Sequence, residues 1–115
     1  MVALPADLLF ASRIRGAARA AGTTIDVVNH PRSLHSRVER DTPRRILIDL
    51  DARGWDPVAL IRELRQGPAA STEIIAWVSH VREDAIRAAR EAGADRVLAR
   101  SAFSQQMQEW VRLQP

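Results

Sequence analysis

Along the chain, short runs rich in Val, Ile and Leu alternate five times with longer segments whose apolar residues recur every three or four positions. Residues 2–5 form a weak first strand. Residues 8–21 place Phe10, Ile14, Ala17, Ala18 and Ala21 on one helical face, with Gly22 where a helix-terminating glycine belongs. Residues 24–28 are β-branched and read as strand two. Asn29, His30 and Pro31 punctuate it, and Ser33 stands ready to cap a short helix that carries Leu34 and Val38 and ends before Pro43. Residues 45–50 hold Ile46, Leu47, Ile48 and Leu50, the nearly continuous apolar run of a strand buried on both faces.

The third helix has the clearest start signal: Asp56 at the cap and Pro57 at the first helical position, then Val58, Leu60, Ile61 and Leu64, with Gly67 and Pro68 as its stop. Residues 73–78 are strand four and residues 82–92 helix four, with Ala85, Ile86, Ala89 and Ala92 turned inward and Gly93 at its end. Residues 96–99 are strand five. A last helix over 103–113 presents Phe103, Met107, Trp110 and Val111. Strands alternating with helices through short connections specify an α/β domain, a parallel sheet covered on both faces by right-handed crossovers. The expected strand order is 2-1-3-4-5, in one domain over residues 1–115, with any site at the carboxyl ends of the strands near the switch between strands one and three.

Composition narrows the chemistry. All 17 basic residues are arginine, against 14 acidic ones, and the chain has no lysine, cysteine or tyrosine. That rules out a Schiff-base or phosphate-loop lysine, a thiol nucleophile, a disulfide frame and a cysteine–zinc site. The sequence pI of 11.1 reflects a titration gap above the histidines, whereas the net charge is only +3 and argues little for a nucleic-acid or membrane partner. The longest apolar stretches, 8–11 and 74–78, are too short to span a bilayer, and no basic segment precedes a long apolar run, so a cytoplasmic location is the expectation. No glycine-rich loop and no serine–histidine–acid order suggests an enzyme.

The strand ends hold the candidate chemistry. Strand three runs out through Ile48-Asp49-Leu50-Asp51-Ala52-Arg53-Gly54-Trp55-Asp56-Pro57, and an acid ending a buried central strand needs a charge partner or a task. Ser79 and His80 close strand four; Arg100 and Ser101 close strand five. A carboxylate, a hydroxyl and a cation converging from three strands can accept a phosphoryl group, the carboxylate as nucleophile and the other two on the phosphate oxygens.

In these residues the chain resembles the receiver domains of bacterial response regulators over nearly its whole length. Asp49 matches the phosphoacceptor, Gly54 the loop glycine, and Asp56 the cap of helix three. Ser79, thirty residues after Asp49, matches the family's serine or threonine, and Glu91-Ala92-Gly93-Ala94-Asp95 before Val97-Leu98-Ala99-Arg100 is similar to its turn into strand five. The resemblance implies a flavodoxin-like (βα)5 three-layer fold, a role in two-component signalling, and Mg²⁺ as the cofactor, here with Asp7, Asp49 and Asp51 as its acids. It also implies an atypical member. The paired metal acids are replaced by Pro5-Ala6-Asp7, the phosphate-pairing lysine by Arg100, the proline after it by Ser101, and the reporting aromatic by Val97.

Two roles for Asp49 follow: a phosphoacceptor served by Ser79 and Arg100, or a buried anion locked to Arg100 in an interaction module that needs no phosphorylation. Asp51 either replaces a lost metal acid or pairs with Arg53 or Arg100. His80 is a candidate ligand or second phosphoacceptor, and His30 and His35 are assigned nothing. The arginines of the fourth helix read as a salt-bridged face, because Glu83, Arg87 and Glu91 follow one another at four-residue spacing. With no helix-turn-helix pattern, nucleic-acid binding is disfavoured. The expected partner is a protein, a histidine kinase or downstream effector, or a second copy of the chain. It is expected to dock on helix four, strand five and helix five through Arg82, Arg90, Arg100 and Trp110, with Trp55 as a further anchor or as packing on helix three.

Overall fold

The computed structural model describes residues 1–79 and 82–112. Its elements are β1 (Val2–Leu4), α1 (Leu8–Ala20), β2 (Asp26–Val27), α2 (Pro31–Asp41), β3 (Arg45–Asp49), α3 (Pro57–Gln66), β4 (Glu73–Val78), α4 (Glu83–Ala92), β5 (Arg96–Ala99), α5 (Arg100–Gln105) and α6 (Met107–Trp110). The five strands form one parallel sheet in the order β2-β1-β3-β4-β5. This is the expected flavodoxin-like architecture, with the switch between β1 and β3.

Alternation along the central strands divides the core in two. Ile46, Ile48, Ile74, Ala76 and Val78 meet the inner faces of α2, α3 and α4 through residues such as Leu34, Ile61, Leu64 and Ala89. Leu47, Ile75 and Trp77 point the other way and meet Phe10 and Ile14 of α1, with Phe103 and Met107 beyond. Period-two placement of apolar residues on both faces is what turned β3 and β4 into continuous apolar runs. Among the described residues no helix is long and apolar enough to cross a membrane.

The structure departs from the sequence-based expectation at several ends. β2 shrinks to two residues, Asp26 and Val27, paired with Val2 and Ala3 of the short β1 at the sheet edge. The cap of α2 is His30 rather than Ser33: Pro31 takes the first helical position, where its missing N–H is no loss, and His30 Nδ1 accepts from Arg32 N at 3.1 Å. The last helix starts earlier, at Arg100, and breaks at Gln106 into α5 and α6. Beyond the break, Arg45 Nη1 donates to the Trp110 and Arg112 carbonyls at 2.6 and 3.2 Å and draws in the end of the helix; Leu113 lies outside the described residues. On α4, Glu83, Arg87 and Glu91 keep their spacing, but among the described residues no ion pair within 4.0 Å joins them.

Candidate functional site

Asp49 ends β3 with 0% of its surface exposed. Both carboxylate oxygens are occupied by backbone donors: the Ala6 N–H reaches Oδ2 at 2.9 Å from the β1–α1 loop, and the Asp51 N–H reaches Oδ1 at 2.9 Å. Asp51 in turn accepts from the Ser79 N–H at 2.8 Å, so the ends of β1, β3 and β4 are stitched together through two carboxylates. Burial pushes the Asp49 carboxyl above the ordinary carboxylate range. The two N–H donors and the more distant Arg100 oppose that rise, and the nearby Asp51 charge adds to it.

Arg100 takes a different partner from the one expected. Its Nη2 donates to Asp7 Oδ2 at 2.8 Å, and its guanidinium carbon lies 4.3 Å from the centroid of the Phe10 ring. Asp7 caps α1 with its other oxygen, accepting from Phe10 N at 2.7 Å. The Phe10 N–H, with Arg100 second, holds the Asp7 carboxyl below its ordinary value. The Asp49–Arg100 lock, one of the two roles open to Asp49, does not form; Arg100 pairs with Asp7 on an aromatic floor instead, and Asp51 pairs with neither Arg53 nor Arg100. A planar guanidinium satisfies a carboxylate and an aromatic face together, which an ammonium does less well.

The sequence-derived residues therefore come together in part. Asp51, Ser79 and Arg100 line one open groove of about 750 Å³ with Trp55 and Arg82, while Asp49 lies beneath it. Trp55 is half-buried and packs on the core beside Val58. Trp110 is half-buried too, with the Arg96 guanidinium 5.6 Å from its ring. His80 lies outside the described residues. His35, to which the sequence assigned nothing, bridges Glu39 at 2.6 Å and Glu63 at 3.8 Å; its four-residue spacing from Glu39 was the available signal.

The three acids do not fit a divalent cation as they stand. A hard cation wants several free oxygens facing one point. Here Asp7 is spent on Phe10 and Arg100, Asp49 on two N–H groups, and one oxygen of Asp51 on the Ser79 N–H. Among the described residues no group of three His, Cys, Asp or Glu is placed to hold a metal. Sequence reasoning missed two participants: Phe10, whose ring is a core residue and a cation seat at once, and the Ala6 N–H, which no side chain announces.

No family model matches the sequence, and no curated protein does. The fold is nonetheless shared with many solved receivers. The chain is similar to the chemotaxis response regulator CheY4 of Vibrio cholerae, with a TM-score of 0.82 and 12% identity over 94% of this chain and 91% of that one. It is similar to the signal receiver domain of a DNA-binding response regulator from Colwellia psychrerythraea, with a TM-score of 0.80 and 15% identity over 96% and 95% of the two chains. It is also similar to the receiver domain of a sensor histidine kinase from Pseudomonas aeruginosa, which carries a magnesium ion in its active-site cleft; there the TM-score is 0.78, with 19% identity over 96% and 94%. The chain has the fold of CheY-like response-regulator receiver domains.

Proposed function

We propose that the chain is a receiver-like signalling module that works through contact with another protein and without phosphoryl transfer. One observation carries this reading: both oxygens of the buried Asp49 carboxylate accept backbone N–H groups, one of them from Ala6, where a receiver places a metal acid. A nucleophilic carboxylate must face its phosphodonor, and its charge must be supported as the bond forms. Asp49 is covered and disfavoured as an anion by burial, and the nearby cation is held by Asp7.

The phosphoacceptor reading is supported by Ser79 and Arg100 lining the same groove above Asp49. It requires Arg100 to leave Asp7, and one Asp49 oxygen to give up its backbone N–H and bond to the phosphorus as the bond from phosphorus to the donor's leaving group breaks. Incubation with acetyl phosphate and Mg²⁺, followed by intact-mass measurement, decides between the two. The expected spectrum is that of the unmodified chain. A phosphoryl adduct that disappears in Asp49→Asn overturns the proposal.

Of the four side chains expected to dock the partner, Arg82 and Arg90 are exposed, Arg100 is paired with Asp7, and Trp110 is half-buried against the core.

A further inference from the structure

A second groove, of about 420 Å³, lies between α1 and α2 over the carboxyl ends of β1 and β2. Pro5, Ala11, Val27 and Val28 give it an apolar lining, and Arg15 and Arg37 line it with positive charge. Leu8 belongs to its wall at 84% exposure, and Leu9 follows at 76%; these are the large hydrophobic residues left exposed among the described residues. Both occupy the first turn of α1, where acidic or polar side chains suit the helix dipole and no acid stands. Packing does not demand leucine at either position.

The charge around them that is left unmatched has one sign. α1 contains Arg13, Arg15 and Arg19 and no acid. Arg15 and Arg19 form no ion pair among the described residues. The neighbouring carboxylates are already matched, Asp7 by Arg100 at 2.8 Å and Asp26 by Arg37 at 3.0 Å. What remains is an apolar ridge and groove with uncompensated positive charge. A small anion would leave the leucines uncovered, whereas a polypeptide covers ridge and groove together.

We propose that this surface docks a segment of a partner protein in which a bulky aliphatic or aromatic side chain is flanked by carboxylates. The side chain enters between Ala11 and Val28 under Leu8, the flanking chain runs over Leu9 on the adjoining ridge, and the carboxylates meet Arg15 in the groove and Arg19 one turn further along α1. The proposal rests on the protein-contact reading but not on the lack of phosphorylation. Ala6 and Asp7, which hold Asp49 and Arg100, form one wall of the groove, so an occupant packs on the loop that organises the acid pocket.

The test is a random peptide library displayed on phage and selected against the full chain, with fluorescence anisotropy on the recovered peptides. Recovered sequences should place Asp or Glu beside Leu, Ile, Phe or Trp. They should bind at least about tenfold more weakly to Leu8→Ser/Leu9→Ser and to Arg15→Glu. All three positions are exposed, so thermal unfolding should be unchanged in both variants, and Arg90→Glu on α4 should bind like wild type. The proposal is overturned by failure to enrich any sequence, by wild-type binding to both variants, or by loss of binding on Arg90→Glu. Leucine-dependent attachment to phosphatidylcholine–phosphatidylglycerol vesicles with no enriched peptide overturns it in favour of a membrane surface. If acetyl phosphate labels Asp49 while the leucine variant still loses its peptide, the docking surface stands and the phosphate-free reading falls.

Discussion

Arg100 closes on Asp7 across the mouth of the pocket, Nη2 to Oδ2 at 2.8 Å, with Phe10 beneath its guanidinium, and leaves Asp49 to two backbone donors. The pair is partly exposed, so its direct worth is small. Double-mutant cycles between Asp7→Asn and Arg100→Gln should give a coupling of under about 1 kcal/mol that shrinks with added salt. Arg100→Lys should keep much of the ion pair and lose part of the stacking on Phe10, about 0.5–1 kcal/mol. Urea unfolding at low and high salt measures both terms. A coupling that salt does not touch would show the pair to be better shielded than its exposure indicates.

Asp49 and Asp7 should tilt the stability curve in opposite directions. The raised folded-state value of Asp49 means that the native chain holds its proton more tightly than the unfolded chain. Stability therefore falls as pH rises from the ordinary carboxylate range through the raised value, then levels off. Asp7 is depressed, so its contribution is present above the ordinary value and is lost as pH falls through the lowered one. Urea unfolding between about pH 3 and 8 should show a decline toward neutrality in the wild type that Asp49→Asn abolishes. Parallel curves for the two proteins would mean that Asp49 ionises without a burial penalty.

How far sequence alone reaches is plain from individual residues. Ile46 to Ile48 and Ile74 to Val78 declare buried central strands, and Asp56-Pro57 declares a helix start, because each rests on local chemistry. Strand order then carries Asp49, Ser79 and Arg100 to one end of the sheet. It does not say which carboxylate Arg100 reaches, since Asp7 and Asp49 stand at neighbouring strand ends and the choice depends on Phe10 offering a face. Backbone donors and acceptors leave no mark at all. Ala6 supplies a bond to Asp49 that any residue other than proline would supply, and the break at Gln106 comes with no proline or glycine to announce it.

Arg65 extends that point to the opposite end of the sheet. Its guanidinium donates to the Ala69 and Thr72 carbonyls at 2.9 and 2.8 Å, to Gly93 O at 2.7 Å and to Asp95 Oδ2 at 2.8 Å. Asp95 also accepts from Ile74 N at 2.8 Å, so one arginine ties the end of α3 to the entries of β4 and β5. Arg65→Ala strands several carbonyls and should cost about 2–4 kcal/mol. Arg65→Lys should recover only part, because a point charge cannot serve carbonyls on both sides. Gly93→Ala should be damaging through the same contact: its Cβ would fall 2.7 Å from Arg65 Cγ, at a backbone φ of +123°. Thermal unfolding of the three variants tests the ranking, and an Arg65→Lys protein as stable as wild type would refute the fork geometry.

Trp77 offers the most direct test of how the pocket is supported. It pairs in register with Asp49 across β3 and β4, accepts Leu50 N through its carbonyl at 2.8 Å, and stacks its indole on Phe103 at 4.2 Å with Phe10 at 5.3 Å. The aromatic floor under Arg100 therefore continues through Phe10 into the core behind Asp49. Its indole N–H finds no acceptor among the described residues, so part of the gain from burying so large a ring is offset by a stranded donor. Trp77→Phe removes that donor along with some volume and should cost only about 1–2 kcal/mol, against about 3–5 for Trp77→Ala. Phe10→Leu should give a milder loss and also free the Arg100 guanidinium, raising the salt sensitivity of its pairing with Asp7. If Trp77→Phe proves as destabilising as Trp77→Ala, the indole N–H has a partner after all and the floor is held by more than stacking.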